Sequence, residues 1–366
     1  MPARPRVLLV SARYPPDQGG VETHVAEVAP RLARLGLEVG VLTTDRTGER
    51  PRREVLDGVA VQRIAAYPKS RDYYLAPGLA AAIRSARPDL VHLQGYHTLV
   101  APMAMMAAET AGIPYVVSFH SGGHTSSLRQ RMRGTQRLAL RPLLRRAARL
   151  IAVSRYEQQL FSRELRLAPG RFRLVRNGST MPTPRSRGTR RRSLVLSVGR
   201  LERYKGHHRL VDAWPAVREL NPSARLRIIG TGPDEAWLRE RIDRAGLAGV
   251  IEVGSIPAGD RQLMADTLAQ AGLVALLSDY EAHPVAVMEA LAVGTPVIVT
   301  RTSGLTELAD DGLAAGIDPS ASPSQVAQAI AHELRHPRSV DVPALPTWDD
   351  TARQLHEIYR QVLEAA

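Results

Sequence analysis

Short apolar runs rich in Val, Ile and Leu alternate with longer stretches of helical periodicity, and the chain goes through this alternation twice. In the first series, strands are expected at Arg6–Ser11, Leu37–Thr43, Val59–Ile64, Asp89–Leu93, Tyr115–Phe119, Leu150–Val153 and Phe172–Val175. Helices are expected over Val21–Leu35, Leu75–Ser85, Leu99–Ala111 and Arg155–Glu164, with a basic helical region ending at Arg149. The second series places strands at Leu194–Val198, Arg225–Ile229, Val250–Val253, Gly272–Leu277 and Pro296–Val299. Its helices fall near His207–Leu220, Glu235–Ala245, Asp260–Ala269 and Pro284–Val293, with two more near Ser324–Arg335 and Asp350–Leu363. Strand–helix alternation of this kind builds a doubly wound parallel sheet, because parallel neighbours need a crossover and helices cover both faces. A Pro- and Arg-rich stretch, Met181–Arg192, has no apolar period and reads as a linker. The 366 residues therefore divide into two α/β domains, 1–180 and 194–348, joined by a linker at 181–193.

The most informative stretch is Leu277–Thr300. A buried strand ends at Leu277, a polar loop carries Glu281 and His283, and a helix opens at Pro284. Proline at the first helical position loses nothing, since that N–H has no partner inside the helix. The result is a helix N-terminus at the carboxyl end of a strand, a ready site for an anion. Carboxylates would repel a phosphate, so Glu281 and Glu289 are expected to take hydroxyls instead. A ligand with both phosphate and hydroxyls is a sugar nucleotide.

Composition limits the alternatives. Cysteine is absent, which excludes disulfides and thiolate chemistry. Val7–Val10 is too short for a signal segment, and no apolar run is long enough to span a membrane, so a cytoplasmic location is expected. The formal net charge is +13, which is compatible with a solvated basic surface, an anionic membrane or nucleic acid. Of the 49 Lys and Arg residues only Lys69 and Lys205 are lysine. In so arginine-biased a chain, Lys205 marks a place where a compact ammonium fits and a guanidinium fork does not.

Val198–Gly206 follows a strand and precedes a helix, so Arg200 and Lys205 sit at the sheet's carboxyl edge, where they can neutralise a pyrophosphate. Ile229–Pro233, with Gly230 and Gly232, is a tight strand-to-helix turn. Near the N-terminus, Gly19 and Gly20 open a helix after a strand and let a ligand approach the backbone. His92, His97, His120 and His124 lie near strand ends, but their spacing matches no helical pair of metal ligands. Tyr73 and Tyr74 suit either an acceptor pocket or the core, and Arg129–Arg149 suits either a solvated helix or a membrane surface.

Together, Pro16–Val21, Ser118–Ser121, Arg176–Gly178, Val198–Leu201 with Lys205–Gly206, Gly230–Pro233, and Glu281 with Glu289 resemble the retaining glycosyltransferases of family GT4. The resemblance spans nearly the whole chain. It implies the GT-B fold: two Rossmann-like doubly wound parallel-sheet domains facing an inter-domain cleft, with a C-terminal helix (about 349–366) crossing back to the first domain. It implies a hexose-type transfer from a nucleotide diphosphate sugar to a hydroxyl acceptor (lipid, glycan or small molecule). Arg200 and Lys205 would hold and stabilise the leaving diphosphate, Glu289 would bind the ribose hydroxyls, and Glu281 would lie near the transferred sugar. Gly19 and Gly20 would admit the donor or acceptor, and His120 would sit beside the sugar ring. His283, Val285, Ala286, Gly230 and Gly232 complete the donor site. Neither a metal nor any other cofactor is expected, because fixed cations and a helix N-terminus can stabilise the leaving group. The family usually has Gly-Phe-Gly where this chain has Ala282-His283-Pro284, which leaves the donor sugar open. Two alternatives remain: a GT-B nucleotide-sugar epimerase, and a basic protein that binds nucleic acid or, peripherally, a membrane surface. The second is weakened by the lack of base-stacking aromatic clusters in the Arg-rich stretches.

Overall fold

Two parallel sheets account for the two series of apolar runs. In the computed structural model, residues 4–17, 19–69, 74–121, 127–185, 190–257, 259–339, 342 and 345–366 are described, with backbone alone over 127–134. The expectations placed on Tyr73 and His124 lie outside these residues. The described residues form two units: one runs up to Ser121 and includes Ser127–Gly178 and Pro346–Ala366, and the other spans Ser179–Leu345.

The first unit holds strands β1 (Arg6–Ser11), β2 (Glu38–Asp45), β3 (Arg53–Leu56), β4 (Val59–Ala65), β5 (Leu90–Gln94), β6 (Tyr115–Ser118), β7 (Arg149–Ala152) and β8 (Phe172–Leu174). They assemble in the order β3-β4-β2-β1-β5-β6-β7-β8. All neighbours are parallel except β3 and β4. This hairpin was not expected from the apolar pattern. Its signal is Asp57-Gly58, where both residues take positive φ, as a two-residue hairpin turn requires. Helices α1 (Gly20–Arg34), α2 (Leu79–Ala86), α3 (Val100–Thr110), α4 (Ser127–Arg146) and α5 (Arg155–Leu165) cover the sheet. The helix expected from Leu75 begins only at Leu79, since Leu75 pairs with Tyr67 as an antiparallel bridge.

The second unit contains β9 (Arg191–Val198), β10 (Arg225–Ile229), β11 (Ile251–Gly254), β12 (Ala271–Leu276), β13 (Val297–Thr300) and β14 (Ala315–Ile317). The order is β11-β10-β9-β12-β13-β14, all parallel. Its helices are α6 (His207–Leu220), α7 (Glu235–Arg244), α8 (Arg261–Gln270), α9 (Val285–Ala292), α10 (Ser303–Asp310) and α11 (Pro323–Arg335). Strand β9 starts inside the span expected to be linker: Arg191 is paired with Ala271, so backbone pairing overrides the polar composition there. Helix α10 and strand β14 were also unexpected. Apolar side chains pack on both faces of this sheet, one layer centred on Trp214, Ile228 and Leu273 and the other on Leu196, Val274 and Val299.

Helix α12 (Trp348–Glu364) belongs to the first unit and packs on α1. Its Leu355, Ile358, Tyr359 and Val362 are buried, which is the stripe visible in the sequence. A capping box between Thr347 and Asp350 starts the helix. The Arg176–Gly178 motif receives it: Thr351 Oγ donates to the Arg176 carbonyl at 2.9 Å. A Cβ on Gly178 would lie 2.3 Å from the Trp348 nitrogen, so only glycine fits.

Candidate functional site

Strands β9 and β12 lie side by side at the middle of the second sheet, and the chain leaves them in opposite directions, to β10 and to β13. Their carboxyl ends therefore form a topological switch point, where open α/β sheets bind ligands. Two loops emerge there: Gly199–Gly206 after β9, and Leu277–Pro284 after β12.

The first loop is pinned along its length. Gly199 leaves β9 in an extended conformation with φ at +159°, and His207 Nε2 lies 3.2 Å from the Arg200 carbonyl. Burial pushes the His207 imidazole down to about 4, so it is neutral at physiological pH, and its Nδ1 meets Ser197 Oγ at 2.9 Å. The Arg203 guanidinium stacks 3.4 Å above the Trp237 ring, while its amide donates to Asp234 at 2.6 Å. A short 3-10 turn over Arg203–Lys205 ends at Gly206 in the left-handed region. The second loop is tied to the first: Asp279 N donates to the Tyr204 carbonyl at 2.7 Å, and Ser278 Oγ to the Lys205 carbonyl at 3.3 Å.

This framework brings Lys205 and Glu281 into contact, with Nζ to Oε1 at 2.5 Å and both side chains largely buried. Burial opposes the ammonium's charge, but the Glu281 carboxylate and Tyr204 outweigh it and hold Lys205 above its ordinary value. Ser278 Oγ donates to the same carboxylate oxygen at 3.0 Å, and the Glu281 amide donates to Ser303 Oγ at 2.8 Å. Arg200 pairs with Glu202 at 2.6 Å and keeps 42% of its side chain exposed, which makes it the more accessible of the two expected cations. Two ion pairs thus stand on the loops of the switch point, Lys205 with Glu281 and Arg200 with Glu202, and half-buried Tyr204 lies between them in sequence with its hydroxyl pushed up by burial.

Helix α9 follows directly. Pro284 is its N-cap, with φ −71° and ψ 119°, rather than its first helical residue as the sequence suggested. The first turn therefore begins with the amides of Val285 and Ala286, which have no carbonyl partner within the helix. His283 is buried beside it. Glu289 is buried one turn and more into α9 and is paired with Arg261, at the start of α8.

Gly230 and Gly232 have a packing role that is visible directly. A Cβ on Gly230 would lie 1.9 Å from the Gly199 carbonyl, and one on Gly232 2.5 Å from that of Leu201. These glycines let the β10–α7 turn press against the loop that carries Arg200.

His120, Gly19 and Gly20 belong to the other unit. Gly19 is the N-cap of α1 and Gly20 its first residue. His120 takes a positive φ of 45° at the end of β6 and its Nε2 meets Gln94 Oε1 at 2.8 Å. Its ring contacts that of His24 edge-on at 4.5 Å, and His24 Nδ1 meets Asn177 Oδ1 at 2.9 Å. Burial, followed by the neighbouring His24, His92 and His97, holds His120 well below its usual value, so its imidazole is neutral. His92 is internal, 2.8 Å from Ser118 Oγ and stacked edge-on against Tyr359. Tyr74 is also internal and donates to the Ala12 carbonyl at 2.9 Å. Among the described residues, no three His, Asp or Glu side chains gather as a metal-holding group.

Two residues were not picked out from the sequence. Glu157, fully buried, accepts from the amides of Ser121 and Val153, at 2.5 and 2.9 Å, and so fixes the loop after His120. Its sequence signal is Ser154-x-x-Glu157 ahead of a helix, where Ser154 Oγ caps the Glu157 amide at 3.2 Å. Arg261 carries no such signal, because its partner Glu289 is remote in sequence.

Comparison with known proteins agrees with this architecture. Residues 18–179 match the family model described as Glycosyltransferase Family 4, and residues 185–341 match Glycosyl transferases group 1. A D-inositol 3-phosphate glycosyltransferase of Nocardiopsis dassonvillei is 28% identical, with 94% of this chain and 90% of that protein covered. A glycogen synthase of Mycobacterium tuberculosis is 29% identical, covering 84% of this chain and 80% of its own length. Among solved structures, sucrose-phosphate synthase from Thermosynechococcus elongatus superposes with a TM-score of 0.80 at 22% identity, covering 99% of this chain and 100% of that one. Anabaena HepE, solved with UDP and glucose, gives 0.73 at 20% identity over 99% of both chains. The fold and both halves of the sequence define a glycosyltransferase that uses a nucleotide sugar. The chain belongs to the GT4-like glycosyltransferases of the GT-B fold. No described helix is long and apolar enough to cross a membrane.

Proposed function

We propose that the chain is a retaining, metal-independent hexosyltransferase that moves a sugar from a nucleotide diphosphate donor to a hydroxyl acceptor. The observation that carries this is the Lys205–Glu281 pair at the switch point, with Arg200 on the same loop as Lys205. A diphosphate entering there exchanges the Glu281 carboxylate for its own oxygens around Lys205, and Arg200 turns from Glu202 to the outer phosphate. The amides of Val285 and Ala286 add the positive end of α9. Glu281, released from Lys205, faces the positive charge that develops at the anomeric carbon. Glu289 takes the ribose hydroxyls.

The chemistry follows from the leaving group. The bond from the anomeric carbon to the phosphate oxygen breaks, the acceptor oxygen bonds to that carbon from the same side, and the acceptor proton passes to the departing phosphate. Fixed cations that stabilise charge developing in the transition state supply the acceleration without a protein nucleophile. One relative is named a D-inositol 3-phosphate glycosyltransferase and another a glycogen synthase, which favours transfer over epimerisation and supports a polyol or sugar hydroxyl here. Thermal-shift and calorimetric titration with UDP, GDP, ADP and dTDP sugars tests the donor site, because a ligand that binds only the native state raises its stability. One of them binds the wild type and binds Lys205→Ala markedly less. Equal binding to both would overturn the assignment.

A further inference from the structure

The pairing of Arg261 with Glu289 is unusual for where the arginine sits. Asp260 caps α8, accepting from the Leu263 amide at 2.9 Å, which fixes Arg261 as the first helical residue. A cation there faces the positive end of its own helix dipole and is disfavoured by position alone. It is held by what it reaches. One arm of the guanidinium meets Glu289 on α9, and the other meets Met181 Sδ at 2.9 Å. The Glu289 side chain is 7% exposed and that of Arg261 29%, so the carboxylate is buried and oriented while a thin edge stays accessible. A planar fork fixed at both arms sets a carboxylate's direction in a way a point charge cannot.

We infer that Arg261 is the positioning residue that aims Glu289 at the ribose hydroxyls and so makes the site discriminate ribonucleotides from 2′-deoxyribonucleotides. This rests on the donor-site reading above. A buried carboxylate that loses its partner turns towards whatever donor remains, and its hydrogen bond to the ribose is lost even though the residue is still present.

Calorimetric titration of UDP, GDP or ADP, whichever the wild-type protein binds most tightly, against its 2′-deoxy counterpart reads this directly. The wild type prefers the ribonucleotide, and Glu289→Gln removes that preference. Arg261→Ala lowers the preference about tenfold, the worth of one charge-assisted hydrogen bond, and Arg261→Lys restores part of it. Thermal unfolding of each variant shows whether the fold is retained, and an Arg261→Gln variant replaces the alanine if that one does not fold. Equal weakening of both nucleotides by Arg261→Ala, with the ratio intact, would mean a purely structural role and overturn the inference. A wild type that binds none of the three ribonucleotides but binds dTDP would overturn the inference alone, and an unchanged ratio in Glu289→Gln, or no binding of any of the four, would overturn the donor-site reading as well.

Discussion

Gly206 lies directly against Leu277: a Cβ on the glycine would be 1.9 Å from the Leu277 carbonyl oxygen. The glycine also takes φ +73°, a region that costs an L-residue roughly 1 kcal/mol before any contact is counted. The two loops that carry Lys205 and Glu281 therefore touch through a residue that has no room for a side chain. Gly206→Ala is expected to push them apart, with nucleotide-sugar affinity falling at least about tenfold and the melting temperature dropping by several degrees. Titration and a thermal scan on the same sample check both, and unchanged donor affinity would show that loop separation does not matter.

Lys205→Ala removes the compact cation from the switch point and leaves Glu281 without its counter-ion. The loss of a charge-assisted contact made to the leaving diphosphate is expected to cost about 2–4 kcal/mol in kcat/KM, with kcat affected more than donor KM. Lys205→Arg should recover little, because the larger fork must fit where only 16% of the lysine side chain is exposed. Steady-state kinetics on the three proteins decide it; full activity in Lys205→Arg would argue for charge alone.

Chelation offers a separate check. If Arg200, Lys205 and the start of α9 neutralise the diphosphate, transfer activity measured after EDTA treatment and desalting stays within about twofold of the untreated enzyme. Loss of activity that added Mg2+ or Mn2+ restores would show that a metal shares the task.

Acid should destabilise the protein well before its carboxylates titrate. Burial lowers His24 to about 4, His92 to about 3 and His207 to about 4. In the unfolded chain each takes up a proton near 6.5, so their contribution is complete above that pH and is lost as the pH falls towards 4. By pH 5 each group should have given up about 2 kcal/mol. Melting temperature followed from pH 7.5 to 5 should fall steadily, and a flat profile would show that these histidines charge without penalty.

Gly178→Ala tests how the C-terminal helix is seated. The added methyl meets the Trp348 backbone, which cannot move without lifting a buried tryptophan, so a loss of about 2–4 kcal/mol is expected. Denaturant unfolding measures it; a cost below about 0.5 kcal/mol would mean that the Thr347–Trp348 segment shifts freely.

Local chemistry determined a great deal here. Continuous Val/Ile/Leu runs separated by helical segments are buried by parallel strands with crossovers, so both sheets were legible from the pattern except for their edge strands β3 and β14. The Gly-Arg and Lys-Gly pairs around Arg200 and Lys205, and the glutamates at positions 281 and 289, are close enough in sequence to their strands to be placed at the sheet's carboxyl edge. Tertiary structure decided the rest, because partners remote in the chain set the geometry. Lys205 meets Glu281 only once β9 and β12 lie adjacent at the switch point. Arg261 meets Glu289 only once α8 and α9 pack together. Gly230 and Gly232 press against Gly199 and Leu201, contacts that only the packed loops define. Burial of polar groups has no sequence period, so neither the neutral state of His120 nor Glu157's hold on Ser121 was written in the motif that named His120.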